Sequence, residues 1–245
     1  MENNFTPHEI VWTYEKVSRF WNYLAHNKAY EDTFFSKQVG DTIIKTILAY
    51  HDLRGNILDY GCGHGHLLWK LLKRGISAEG LDFSADSVKL IERKFCKEKL
   101  FKEVTLAKGL PTSLESDKFD VVFFIAAIEH LLTEDLRKTL REIHRITRNG
   151  GYVFVATANE ENLEMQKILC PECGCIFHKV QHISSWTRNS LSSVMKDSGF
   201  SEVLCAATRL RESGVSGLLR HIMINIELKV FRKKQPHLIY IGRKQ

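Results

Sequence analysis

The chain has 245 residues, of which 44% are hydrophobic and 26% charged, with a formal net charge of +6. That length suits one large α/β domain with additions and leaves little for a second domain. A run of about 18 apolar residues, the minimum for a membrane-spanning helix, is missing, and Met1-Glu2-Asn3-Asn4 lacks the charged and apolar regions of a secretory signal, so a soluble cytoplasmic protein is expected.

In chain order, Ile10, Tyr14, Val17, Phe20, Trp21 and Leu24 recur at helical spacing and predict an amphipathic helix over residues 9–27. A second helix follows from about Gly40 to Tyr50, through Ile43, Ile44, Ile47 and Leu48, so residues 1–50 read as a helical cap. From residue 51 onward the pattern alternates in the βα manner of a Rossmann-like, seven-stranded, mostly parallel sheet, with strands near 56–60, 77–82, 103–107, 119–125, 151–157, 201–208 and 237–242. Helices are expected over 65–74, 85–99, 133–147 and 186–198, the third ended by Asn149-Gly150-Gly151 and the fourth by Gly199. Two insertions interrupt this core, at 158–185 and 209–236. The first leaves the carboxyl end of a sheet strand, the edge at which open α/β sheets bind ligands. The second carries Leu218, Leu219, Ile222, Met223, Ile226 and Val230 among basic residues, a pattern that suits a lid, a subunit contact, a peripheral membrane contact or burial against the core.

Residues 57–65, Ile-Leu-Asp-Tyr-Gly-Cys-Gly-His-Gly, run an apolar strand into an acidic residue and three alternating glycines. Without Cβ atoms, Gly61, Gly63 and Gly65 clear a shelf for a ligand. The spacing G-x-G-x-G preceded by Asp59 differs from the dinucleotide fingerprint G-x-G-x-x-G. Asp59 would repel a pyrophosphate but attract the cationic amino and sulfonium groups of S-adenosylmethionine. Asp82, at the end of the next strand, suits the two ribose hydroxyls of the same donor, and Ser84 suits an N-cap.

These stretches, with Gly80-Leu81-Asp82-Phe83-Ser84, Phe119-Asp120-Val121-Val122 through Ile128-Glu129-His130-Leu131, and Arg148-Asn149-Gly150-Gly151, resemble the class I S-adenosylmethionine-dependent methyltransferases. The resemblance is to the small-molecule group that includes ubiquinone-pathway O-methyltransferases, and it covers residues of about 40–205. It implies a donor site at Asp59, Gly61, Gly63, Gly65, Asp82, Phe83 and Ile125, a small-molecule acceptor, and a cap lying over both. Relatives carry Glu-x-x-Glu-His after the fourth strand as a divalent-cation site, whereas this chain has Ala126 at the first position. Where many relatives carry an acidic residue near the adenine, this chain reads Lys108-Gly109-Leu110-Pro111.

Residues 170–182, Cys-Pro-Glu-Cys-Gly-Cys-Ile-Phe-His-Lys-Val-Gln-His, give C-x2-C followed by H-x3-H. Cys170, Cys173, His178 and His182 are thereby expected to form a closed tetrahedral zinc site of structural type, with Cys175 able to replace one histidine. His130, following the fourth strand, has an ordinary pKa suited to removing a proton at neutral pH and is the expected base, with capping of the next helix as its alternative role. The late basic residues, including Arg209, Arg211, Arg220, Lys229, Arg232, Lys233 and Lys234, favour an anionic acceptor. Only Phe231 and Tyr240 interleave with them, too few aromatics for a nucleic-acid surface. These features lead to the expectation of O-methylation of an anionic or sugar-like small molecule. RNA or protein methylation, or a non-catalytic donor-binding scaffold, stands as the alternative.

Overall fold

The computed structural model describes residues 5–212 and 234–245. Its elements are β1 (His8–Glu9), α1 (Tyr14–His26), α2 (Phe35–Leu48), β2 (Ile57–Tyr60), α3 (His66–Leu72), β3 (Ala78–Asp82), α4 (Ala85–Phe95), β4 (Phe101–Leu106), β5 (Phe119–Ile125), α5 (Thr133–Ile146), β6 (Thr147–Ala158), β7 (Lys167–Leu169), β8 (Cys175–His178), α6 (Arg188–Asp197), β9 (Phe200–Thr208) and β10 (His237–Lys244). The main sheet runs β4-β3-β2-β5-β6-β10-β9, and β10 lies antiparallel to both neighbours while the pairs from β4 through β6 are parallel.

Both faces of this sheet are covered, so its central strands are apolar on both sides. Along β5, Val121 and Phe123 pack with Ile43, Leu67, Leu71 and Phe95 from the face of α2, α3 and α4. The alternate residues Val122 and Phe124 pack with Leu140, Ile143, Leu191 and Met195 from α5 and α6. Successive strands go outward in one direction from β2 through β3 to β4, then in the other from β5 to β6. The carboxyl ends of β2 and β5 therefore flank the point where chain order reverses, which is where open α/β sheets leave a crevice.

The structure departs from the sequence expectations at three places. The first helix starts at Tyr14, capped by the Thr13 hydroxyl that accepts from the Lys16 N–H at 3.3 Å, because His8–Glu9 pair in parallel with β8 instead of joining the helix. Asn149-Gly150-Gly151 does not end α5. It forms an irregularity inside β6, with Gly150 at φ +75°, between the Phe119–Thr147 and Val121–Tyr152 pairs. The insertion after β6 folds as a hairpin of β7 and β8, which β1 extends into a three-stranded sheet. Leu218, Leu219, Ile222, Met223, Ile226 and Val230 lie outside the described residues. Among the described residues no helix is long and apolar enough to cross a membrane.

Candidate functional site

The turn after β2 is built around Asp82. One of its oxygens accepts the Gly63 N–H at 2.8 Å and the other accepts the Ser84 N–H at 2.8 Å, so a single carboxylate braces both the glycine turn and the start of α4. Gly63 has φ +49°, and a Cβ built on it would meet nothing within 4 Å, which leaves a bare backbone ledge beside the carboxylate. Gly65, at φ +71°, has a different reason to be glycine. A Cβ there would lie 2.7 Å from the Phe95 ring, so its absence lets the start of α3 close onto α4.

Asp59 and Asp82 are both buried, at 3% and 5% exposure. Burial and then the neighbouring Asp82 push the Asp59 carboxyl up to about 8. Burial also raises Asp82, against the opposing N–H donors of Ser84 and Gly63. Two buried carboxylates beside a Cβ-free ledge fit a ligand with a cationic amino group and a sulfonium, because such a ligand supplies the charge that the cleft lacks. Phe83 follows Asp82 at the rim, half-buried, with the Tyr14 ring of the cap tilted over it at 6.2 Å. Ile125 closes the buried end of β5.

The cap docks onto these loops. Asn22 accepts from the Ser84 hydroxyl at 3.0 Å, and Glu31 meets His64 Nδ1 at 3.0 Å and His66 Nε2 at 3.4 Å. The Phe34 ring covers both imidazoles, at 4.3 and 5.5 Å. Burial, followed by neighbouring cations that outweigh part of the Glu31 attraction, holds His66 down at about 4.

The charge state of Asp59 has a measurable consequence. Binding a cation beside it favours the ionised form, so donor binding is expected to release close to one proton at neutral pH and to tighten as pH rises toward 8. Titration calorimetry in buffers of different ionisation enthalpy measures that release, and proton uptake on binding would contradict it. In the ligand-free protein the sign is opposite. A raised carboxyl pKa means that the folded state holds the proton more tightly, so this group's contribution to stability falls as pH rises from the ordinary carboxyl range through about 8.

Across the crevice, at the carboxyl ends of β5 and β6, the chain passes Ala126 at φ +47° into a turn of 3-10 helix, Ile128–His130. The insertion docks on this turn through its backbone. Ile183 N–H and Ser184 N–H donate to the Glu129 carbonyl at 2.9 and 3.3 Å. Gln181, fully buried and left-handed at φ +60°, is the hub of the contact. Its carbonyl accepts from His130 Nδ1 at 3.3 Å, its side-chain amide donates to the His130 carbonyl at 3.0 Å, and its side-chain oxygen accepts from Trp21 Nε1 of the cap at 2.8 Å. Gln181→Ala is expected to destabilise the protein by about 2 kcal/mol, because the part-buried Trp21 indole N–H and the His130 carbonyl would lose their partners. Chemical denaturation would check this, and a change under 0.5 kcal/mol would remove Gln181 from that role.

His130 itself is partly buried, its ring edge-on to Trp21 at 4.7 Å and to His182 at 4.8 Å. Burial and then the His182 charge push its imidazole down to about 3, which leaves it neutral across the physiological range and a weaker base than its residue type suggests. Glu129 is 2% exposed, and burial raises its carboxyl.

The structure does not bring Cys170, Cys173, His178 and His182 together. Residues 175–178 are an extended strand at about 3.3 Å per residue, which carries His178 away from the cysteines instead of folding back to them. Cys170 and Cys173 stay at the hairpin tip. There the Cys170 thiol accepts the N–H groups of Cys173 and Glu172, which hold its pKa below the ordinary thiol value. His178 and His182 stack at 4.7 Å with Glu161 between their nitrogens. Glu161 pairs closely with His182 Nδ1 and stands 3.4 Å from His178 Nε2. Among the described residues, the three convergent sets of possible metal ligands are Glu31-His64-His66, Glu129-His130-His182 and Glu161-His178-His182, and none contains a cysteine.

Glu161, Gln181 and Glu31 are contributors that the sequence motifs do not reveal, and His64 sits within the glycine motif, where spacing directs attention to the glycines. Gln181 sits inside the H-x3-H stretch, where spacing directs attention to the histidines. Glu161 lies in Asn159-Glu160-Glu161-Asn162, which has no pattern of its own.

The methyltransferase domain model matches residues 33–205. The chain is 26% identical over 179 residues to the mitochondrial ubiquinone biosynthesis O-methyltransferase of Mus musculus, covering 66% of this chain and 47% of that protein. It is 27% identical over 150 residues to an uncharacterized methyltransferase of Anoxybacillus flavithermus, covering 60% of this chain and 65% of that one. The chain thus spans about half to two thirds of the length of these relatives. Among solved structures, the fold matches a Haemonchus contortus phosphoethanolamine N-methyltransferase in complex with S-adenosyl-L-methionine, with a TM-score of 0.64 and 14% identity over 96% of this chain and 60% of the other. It also matches the Burkholderia thailandensis 1,6-didemethyltoxoflavin N1-methyltransferase with bound S-adenosylhomocysteine, with a TM-score of 0.63 and 14% identity over 98% and 94% of the two chains.

Proposed function

Because the chain belongs to the methyltransferase domain family and is an S-adenosylmethionine-dependent methyltransferase, we propose that it methylates an oxygen of a small hydroxylated molecule. The observation that carries this reading is that the turns after the neighbouring parallel strands β2 and β5 carry complementary groups. One side is a Cβ-free ledge with two buried carboxylates, and the other is a pair of imidazoles, His130 and His182, each with its Nδ1 already engaged.

Methyl transfer is an in-line displacement whose leaving group the sulfonium supplies, so the protein's work is to position the acceptor and take up its proton. Gly61 and Gly63 leave room for the donor, Asp59 faces its cationic groups and Asp82 its ribose. Phe83 and Ile125 flank the space left for the base. An amine acceptor needs little help to lose a proton, whereas a hydroxyl needs a partner, and the imidazole edge supplies one. His182 takes that task in this reading, with His130, the weaker base, packed edge to face against it at 4.8 Å. Trp21, held by Gln181 against His130, gives the acceptor space an aromatic wall.

The ubiquinone relatives act on oxygen, which supports the choice of atom, at the low identity given above. An anionic or sugar-like acceptor is favoured by the basic residues of the stretch 209–236, most of which falls outside the described residues. The same residues leave peripheral membrane contact in the proposal, with nucleic acid disfavoured and a cytoplasmic location preferred. The test is turnover of methyl-labelled donor against matched acceptors bearing a hydroxyl, an amine or a thiol on one scaffold. Label on the hydroxyl acceptor alone is expected, and label on the amine alone would overturn the reading.

A further inference from the structure

We propose that Glu31, His64 and His66 form a mononuclear site for a zinc-type divalent ion that clasps the cap to the glycine turn of the donor cleft. The site lies on the donor side, so it does not depend on which atom of the acceptor is methylated.

The three ligands come from two distant parts of the chain. His64 and His66 alternate with Gly63 and Gly65, and the left-handed turn at Gly65 leads into α3 with the two imidazoles 5.9 Å apart and the Phe34 ring over both. Glu31 lies in the 3-10 turn Lys28–Thr33, which the Asn27 side chain starts by accepting the Ala29 N–H at 3.0 Å. Its carboxylate reaches both rings, Oε2 to His64 Nδ1 at 3.0 Å and Oε1 to His66 Nε2 at 3.4 Å. Two atoms held at about 2.0–2.1 Å by one tetrahedral ion stand roughly 3.3 Å apart. Both carboxylate-to-imidazole separations already have that size, and one ligand atom from each residue falls within a 4.8 Å span.

The hydrogen bonding of this cluster is unfinished. His66 Nε2 is buried and close to Glu31, yet it has no hydrogen-bond partner, in a side chain only 7% exposed. His64 Nε2 is buried without a partner as well, which leaves Nδ1 as the nitrogen turned to the carboxylate. A bare buried nitrogen is costly, and at His66 Nε2 a metal bond would supply what the protein does not. A purely structural clasp would line up a hydrogen bond at both rings.

The charges facing the set permit a cation. Lys37 stands 3.6 Å from Glu31, but its shorter pair is with Asp32 at 2.9 Å, which can hold it alone. Lys94 donates to the His64 carbonyl at 3.2 Å, and burial lowers its pKa. The Asp82 carboxylate acts on His64 with the opposite sign. Two imidazoles and one carboxylate suit zinc(II) or cobalt(II), not magnesium, which prefers oxygen ligands. The Glu31 side chain is 38% exposed, so the carboxylate side stays open to a water ligand.

Cobalt(II) is titrated into the full chain after chelator treatment, and its visible absorption is read with zinc(II) as competitor. A cobalt equivalent held by nitrogen and oxygen, free of thiolate charge transfer, is expected. Glu31→Gln and His66→Gln should each weaken it by about 10-fold or more, while Cys170→Ser with Cys173→Ser should leave it unchanged. S-adenosylhomocysteine binding and melting of each variant certify the fold. For a variant that fails to fold, the wild-type chain with nitrogen-labelled histidine takes its place, and zinc(II) should shift the ring signals of both His64 and His66. No such equivalent, a smaller loss in either folded variant, or shifts confined to other histidines would overturn the site. Because the ion holds the turn that carries Gly63, saturating zinc(II) should also tighten S-adenosylhomocysteine by about 5-fold or more. Intact metal binding without that gain would overturn the clasp, whereas a folded chain that binds no S-adenosylhomocysteine with or without metal would overturn the donor-side reading instead.

Discussion

His182→Ala is expected to lower methyl-transfer turnover by about 10²-fold or more while leaving donor affinity within about twofold of wild type. His182 is held by Glu161, faces His130 and makes none of the contacts that brace the Asp82 turn, so in the proposed reading its loss removes help to the acceptor and leaves the donor side intact. His130→Ala should cost a similar factor, and the double variant little more than either one, because the two rings pack edge to face and His182 loses its support with His130. Donor titration and turnover on one preparation separate lost chemistry from lost folding. Near wild-type turnover in His182→Ala would return the histidines to a purely structural role.

The second large effect belongs to the donor side. Asp82→Ala is expected to weaken S-adenosylmethionine and its demethylated product by about 1–3 kcal/mol, through loss of charged hydrogen bonds to ribose. Its cost will not be confined to binding. The same carboxylate accepts the Gly63 and Ser84 N–H groups at 2.8 Å each, so the variant should also melt lower, with the glycine turn loosened. Titration calorimetry well below the melting transition isolates the binding term, and unchanged affinity there would remove Asp82 from the donor site.

The seven-stranded sheet and the glycine turn after its first strand were legible in the chain because each rests on short-range rules. A buried strand such as Phe119–Ile125 reads as an apolar run, and Asp59 with Gly61 and Gly63 reads as a turn whose backbone must stay bare. The seven strand positions follow from the same alternation. What the spacing misjudged was the insertion. C-x2-C and H-x3-H suggested one tight loop, yet Cys175–His178 has the β-branched and aromatic character of a strand and pairs with both Lys167–Leu169 and His8–Glu9. Pairing across about 160 residues leaves no local signature, and it is what separates the cysteines from the histidines. The same holds for Gln181, whose worth lies in reaching Trp21 and His130 at once. The glycines at 149–151 misled in another way, since a left-handed Gly150 serves a strand irregularity as readily as a helix end.

The most direct measurement is the fate of a methyl-labelled donor incubated with the protein and a set of small acceptors that differ only in the atom presented, followed by mass-spectrometric location of the label. The expected result is label on oxygen, lost with Asp82→Ala under subsaturating donor and with His182→Ala even when donor saturates. Label on nitrogen or carbon, or oxygen methylation that survives both substitutions at full rate, would contradict a crevice with the donor on the Asp82 side and the acceptor on the His182 side.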